Sequence, residues 1–298
     1  MFTNVIAGVD GEQGGRDAIA LARDLVSGGG ELAVAHVHLG DPGFARGTRV
    51  ALADAERERS LGLLEVARNE LGAEAGRLSV ASSSVGRGLH ELAERQHADL
   101  LVVGSCRRGL IGRVFVGDDT RAELNGAPCA VAIAPADYAN QPTVQREIGV
   151  GYDGSPESKR ALALARELAR ERGSKLSAFK AVSIPARFFV SGAGTLVEAI
   201  PDYVEQARAE IAALGGVEPH AAYGIVAEEL ALYSASLDLL VVGSRSYGPL
   251  GRLIHGSTSQ RLARTARCPL LVLTRGVPAG RTVNPAENGQ ESVAAGTV

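Results

Sequence analysis

Apolar positions along this chain fall into two alternating rhythms. Short, nearly continuous apolar runs recur at Val5 to Val9, "ELAVAHVHL" (31–39), "ADLLVVGS" (98–105) and "CAVAIAP" (129–135). Between them lie segments such as "AIALARDLV" (18–26) and "ADAERERSLGLLEVARNELGAEAG" (53–76), where apolar residues return every three or four positions. Continuous runs of that length mark strands buried on both faces, and the three-four spacing marks helices that cover them. The same order then starts again: Ile148 to Tyr152, "ALALARELA" (161–169), "KLSAFKAVSI" (175–184), a helix over 197–216, "LDLLVVGS" (237–244) and "CPLLVLT" (268–274).

The chain is therefore one unit written twice. Asp10 corresponds to Asp153, and Gly104, Gly117 and Cys129 correspond to Gly243, Gly256 and Cys268, the second copy being four residues shorter in its middle. A period near 140 residues is a domain duplication rather than a solenoid repeat. Expected boundaries are 1–138 and 145–276, joined through the polar, proline-containing "YANQPTVQRE" (138–147), with 277–298 lacking apolar periodicity. Strands that alternate with helices predict an α/β protein with mostly parallel sheets and helices on both faces. Ligands of such sheets bind beyond the carboxyl ends of the strands, where the strand order reverses. The Asp-Gly turn after the first strand of each copy and the Gly-Ser turn after the fourth lie on that edge.

Composition narrows the class. Of 298 residues, 45% are hydrophobic but only 4% aromatic, with no Trp, so Ala, Val, Leu and Ile must fill the cores. The net charge of −3 excludes a generally basic nucleic-acid-binding surface. Residues 1–140 carry 14 Lys and Arg against 19 Asp and Glu, a net −5, whereas the remainder carries +2, which favours the second copy as the holder of an anion. No run reaches the roughly 18 apolar residues of a membrane span, and "MFTNVIAGVDG" has no charged leader, so a cytoplasmic protein is expected. Three cysteines without a CxxC pair predict reduced thiols rather than disulfides or zinc.

The chemistry concentrates in "LLVVGSRSYGPLGRLIHGSTSQRLARTARCPLLVL" (239–273). A turn at Gly243 exposes successive amides, and Gly256, Ser257 and Thr258 open a helix whose N-terminus favours negative charge. The competing reading is that Ser257 or its neighbour only caps that helix. No GxxxxGK[ST] loop and no GxGxxG after the first strand is present, and the glycines of "VSGGGEL" (26–32) read as a helix stop.

These loops resemble the binding signature of universal stress proteins: Gly, two residues, Gly, nine residues, Gly, then Ser or Thr. The second copy matches over Gly243, Ser246, Gly256 and Ser257, and "YDGSPES", "DLLVVGSR" and "RCPLLVL" extend the likeness across 148–275. The resemblance implies two tandem five-stranded parallel sheets of strand order 3-2-1-4-5, of the adenine nucleotide alpha hydrolase-like kind. Their fifth strands would pair into an intrachain pseudo-dimer, and chains would assemble further into a homo-oligomer. It implies an ATP site, with magnesium, in which Asp153 lies beside the adenosine and the backbone near Ala181 faces the base. Val242 and Gly243 would begin the nucleotide loop, and Gly256, Ser257 and Thr258 would hold the outer phosphates. Ser246 departs from the signature by standing in place of its second glycine. The first copy departs further: Asp10, Val37, Gly104 and Gly117 remain, but Arg107 replaces the second glycine and Asp118 the hydroxyl residue, with Asp119 beside it. Two carboxylates there complement the helix dipole themselves and repel a triphosphate.

Other candidates weigh less. His36 and His38 alternate on one strand and face one side, but lack a third metal ligand nearby. Cys106 lies beside Arg107 and Arg108, a setting that lowers a thiol pKa, yet reads as an ordinary thiol. No base for hydrolysis is named by the spacings. The expectation is an ATP-binding regulator of stress adaptation acting through a protein partner, with the nucleotide mainly in the second copy. A paired-domain interaction module without nucleotide and a slow ATP hydrolase are the alternatives.

Overall fold

Because each apolar run is followed by a helix, successive strands are forced parallel, and the computed structural model shows the sheet that results. It describes residues 2–39, 48–72, 74–104, 128–141, 146–183, 193–244 and 257–274. The first half comprises β1 (Phe2–Gly8), α1 (Gln13–Leu25), β2 (Val26–Leu39), α2 (Thr48–Leu71), β3 (Gly76–Ser82), α3 (Val85–Arg95), β4 (Leu100–Gly104) and β5 (Ala130–Ala134). The second comprises β6 (Glu147–Gly151), α4 (Pro156–Arg172), β7 (Lys175–Val182), α5 (Ala193–Ala212), β8 (Glu218–Tyr223), α6 (Val226–Tyr233), β9 (Leu239–Gly243), α7 (Ser257–Thr265) and β10 (Leu270–Leu273).

The strands form one sheet in the order β3-β2-β1-β4-β5-β10-β9-β6-β7-β8, so each half has the order 3-2-1-4-5 and the two five-stranded units are continuous. Pairing within each half is parallel. At the joint it is antiparallel, with Leu270 opposite Ile133, Leu271 opposite Ala132 and Val272 opposite Val131. Ala132 and Leu271 are equivalent positions of the two copies, so a pseudo-twofold axis passes between them.

Two layers of helices cover the sheet. On one face α1, α2, α4 and α5 bury Leu21, Leu64, Leu162 and Ile211 together with Ala132 and Leu271. On the other, α3, α6 and α7 bury Leu89, Leu230 and Leu262 with Val131 and Val272. Alternate residues of β5 and β10 thus serve opposite cores, as the two-residue period of a strand requires.

Polar ties reinforce the joint. Buried Thr274 donates through Oγ1 to the Cys129 carbonyl at 3.0 Å. The wholly buried Asp17 of α1 accepts from Asp137 N and Ala139 N, each at 3.0 Å, and from Gln13 Nε2 at 3.1 Å. Tyr138 donates its hydroxyl to Asp24 Oδ2 at 2.7 Å, and Arg172 of α4 donates to the Asp24 carbonyl. The chain leaving the first half is therefore fastened to α1 before the second half begins. Cys129 and Cys268 are free thiols, both pushed up to about 12 by burial, which makes them packing groups rather than nucleophiles.

One local expectation changes. The "SGGG" segment satisfies a stop between helix and strand in sequence, but β2 already begins at Val26, the C-cap of α1. Between the pairs Phe2–Val26 and Asn4–Glu31 the register shifts, so the glycines form a bulge inside an extended strand. Gly29, at φ 84°, supplies the backbone conformation that the bulge needs.

Candidate functional site

Strand order reverses between β1 and β4 in the first half and between β6 and β9 in the second, and of the residues singled out by sequence the described Asp10, Val37, Gly104, Asp153, Ala181, Val242 and Gly243 lie at or just beyond the carboxyl ends of strands. After β6, Gly154 takes φ 83°, and Asp153 Oδ1 accepts from Ser155 N at 2.9 Å, closing a tight turn. Ser155 then caps α4, its hydroxyl accepting from Ser158 N at 3.2 Å, while Ser158 Oγ donates to the Ser155 carbonyl at 3.0 Å. The first half repeats the turn with Gly11 at φ 81° and Asp10 Oδ1 accepting from Glu12 N at 3.0 Å. Its helix start is plainer: Glu12 makes no side-chain cap, and Gly15 stands where the second copy has Ser158.

Ala181 of β7 is half-buried and pairs with Ala222 of β8. Its counterpart Val37 is buried, and a methyl on Gly88 of α3 would lie only 2.6 Å from Val37 Cγ1. In the second half Ala181 stands where Val37 does, and the helix position equivalent to Gly88, counted from the N-caps Ser84 and Ile225, is Glu229, while Leu230 corresponds to Leu89. Val242 is also buried, paired with Gly151 and Val272, so only its backbone is available to a ligand.

Gly243 and Gly104 have a role that the loop signature did not announce. A Cβ on Gly243 would lie 2.5 Å from the Glu157 carbonyl carbon and 2.6 Å from its oxygen, and a Cβ on Gly104 would lie 2.6 Å from the carbonyl carbon of Gly14. Glycine there lets the first turn of α4 or α1 rest on the strand end. Ser246, Gly256 and Gly117 lie outside the described residues, as do Cys106, Arg107, Asp118, Asp119 and segment 277–298. Ser257 is the first residue of α7 and Thr258 the second.

A cavity of about 530 Å³ opens at the carboxyl ends of β7 and β8, lined by Ser183, Tyr223, Gly224, Val226, Thr258 and Arg261 among others. Of the residues named from sequence, the cavity brings in Thr258; Asp153, Ala181, Val242 and Gly243 stand on the same sheet edge but outside its lining. Arg261 was missed. It is three residues beyond Thr258, hence on the same helix face, and its Nη2 bonds Glu228 Oε1 of α6 at 2.8 Å. A hydroxyl, a guanidinium and a helix start converging on one hollow suit an anionic group. In the first half a smaller cavity, about 240 Å³, lies instead between α1 and α2, with Val9, Gly11, Arg16 and Leu63 in its wall.

The histidine pair belongs to a different arrangement. His36 Nδ1 meets Ser60 Oγ at 2.9 Å, Ser60 Oγ meets Ser79 Oγ at 2.8 Å, and Ser79 Oγ lies 3.4 Å from His38 Nδ1. This chain stitches β2 to α2 and β3. Burial, and then the neighbouring His38, hold His36 below its ordinary pKa, against smaller opposing effects of Asp10 and Glu56. Among the described residues no group of three or more His, Cys, Asp or Glu side chains is placed to hold a metal. Among the same residues no helix is long and apolar enough to cross a membrane.

Fold and site together define a duplicated, doubly wound α/β protein with its candidate site at the carboxyl edge of the sheet. The sequence profile of the Universal stress protein family matches residues 1–135 and again 145–274, and the chain belongs to that family as a tandem pair. A universal stress protein of Mycobacterium tuberculosis is 33% identical over 183 residues, 59% of this chain and 61% of that one. The chain thus spans about three fifths of the length of the mycobacterial relatives it matches. One from Thermus aquaticus is 35% identical over 136 residues, 43% of this chain and 98% of its own. The crystal structure of a universal stress protein from Archaeoglobus fulgidus covers 91% of this chain and 98% of its own at 18% identity, with a TM-score of 0.62, which shows the shared fold.

Proposed function

We propose that this chain binds an adenine nucleotide, ATP with magnesium, in its second half and acts as a regulator in stress adaptation rather than as an enzyme. The observation that carries this reading is the cavity at the ends of β7 and β8, where Thr258 and Arg261 of α7 meet at the half that keeps Gly256 and Ser257. Thr258, Ser257 and Arg261 would hold the phosphates, and Asp153 and the Ala181 backbone the nucleoside. Asp10, Val37 and Gly104 form the corresponding but altered edge of the first half, where buried Val37 and the acidic pair Asp118 and Asp119 argue against the same ligand.

Calorimetric titration of ATP with magnesium into nucleotide-free protein tests the reading. One site per chain, lost in Ser257→Asp, is the expected result. Absence of binding, with no nucleotide released from freshly purified protein on denaturation, would overturn it in favour of a nucleotide-free interaction module. Coupling to a partner would further require that ATP favour one of two conformations, a point read by comparing partner capture with and without nucleotide.

A further inference from the structure

An anion already stands beside the cavity wall: Glu228 follows the wall residues Val226 and Ala227. Arg261 faces the hollow from α7, and Glu228 in the first turn of α6 holds its guanidinium at 2.8 Å, both side chains being about half exposed at 55% and 49%. Leu262 and Ala263 are buried on the opposite side of α7, so the helix is fixed and Arg261 can turn only at its side chain. Exposed ion pairs of this kind are weak, so exchanging Glu228 for another anion costs little. A phosphate bearing more charge than a carboxylate gains more from the fork of guanidinium donors.

We propose that Arg261 is a specificity-determining residue of the second-half site and that Glu228 is its built-in competitor. The pair makes the site select ligands by the phosphate charge they bring to Thr258: a polyphosphate displaces Glu228 from Arg261, whereas an uncharged nucleoside leaves the pair closed. This inference rests on the nucleotide reading above for the identity of the ligand, and on the cavity and the ion pair for its mechanism.

A double-mutant cycle provides the test. ATP and adenosine are titrated into the wild type, Arg261→Gln, Glu228→Gln and the double variant, with thermal melts confirming that each remains folded. Arg261→Gln is expected to weaken ATP about tenfold, the low end for a hydrogen bond to a charged group, and to leave adenosine unchanged. Glu228→Gln is expected to tighten ATP roughly two- to fivefold, a gain that disappears when Arg261 is already Gln. If wild type binds ATP and Ser257→Asp abolishes it, but Arg261→Gln binds like wild type, this proposal falls and the nucleotide reading stands. If wild type binds no ATP, the nucleotide reading falls, and inorganic tripolyphosphate decides the rest. Arg261-dependent binding of tripolyphosphate would keep the selector as an anion site; no binding would end it.

Discussion

Substituting Gly243 by Ala separates a packing role from a ligand role. The new methyl would sit 2.5 Å from the carbonyl carbon, 2.6 Å from the oxygen and 2.7 Å from Cβ of Glu157. Carbon contacts settle near 3.5–4.0 Å, so the first turn of α4 must retreat by about 1 Å. Retreat is resisted, because the turn is pinned by the Asp153 bond to Ser155 N and by the Ser155 cap, and because Ala161, Leu162 and Ala165 of α4 are buried on the sheet. Overpacking of this kind costs about 1–3 kcal/mol, and backbone neighbours place Gly243→Ala toward the upper end. With roughly 2–4 °C per kcal/mol for a domain of this order of size, the melting temperature should fall by about 4–10 °C. Urea denaturation and thermal melts of Gly243→Ala measure the effect, with nucleotide titration alongside. A variant with unchanged midpoint but weakened ATP binding would refute the packing argument and return Gly243 to the ligand loop alone.

Two further outcomes follow from groups described above. Asp17→Ala should cost about 1.5–3 kcal/mol, since the amides of Asp137 and Ala139 would each lose the carboxylate acceptor that buried Asp17 supplies; urea midpoints check it, and a loss below about 1 kcal/mol would mean that water replaces the carboxylate. His36 has a folded pKa below its unfolded value of 6.5, so its contribution to stability is complete above that pH and is lost as pH falls from there toward the folded value. The proton it then gains must be accommodated among His38, Ser60 and Ser79, with Asp10 and Glu56 nearby. Wild type should therefore lose stability from pH 7 to pH 5 more steeply than His36→Gln, and equal slopes would contradict this.

Much of the architecture was legible because duplication doubles every signal. Each strand–turn–helix boundary was written twice, and the equivalence of Asp10 with Asp153 and Cys129 with Cys268 put both copies in one frame. Pairing of the fifth strands followed from the resemblance, and the antiparallel register of Val131 to Ile133 with Leu270 to Val272 bears it out. The bulge in β2 was not legible, since Gly28 to Gly30 satisfy a helix stop and a bulge equally well in one dimension. Gly104 and Gly243 were found for their place in a loop signature, but their contact partners are supplied by helices some 90 residues away in the chain. Arg261 escaped because its meaning comes from Glu228 on another helix, and the His36 chain because Ser60 and Ser79 come from α2 and β3.

The antiparallel joint has one more consequence. Since β5 and β10 run in opposite directions, the carboxyl ends of β1 and β4 point to one long rim of the sheet and those of β6 and β9 to the other. The two mouths therefore look away from each other, and no single small ligand can bridge them. In an assembly of two identical chains any change at one mouth is repeated at the other. Here each copy is encoded separately, so the first can carry Asp118 and Asp119 at the sequence positions where the second has Ser257 and Thr258. The tandem chain is a heterodimer that cannot dissociate, free to give its two faces different occupants.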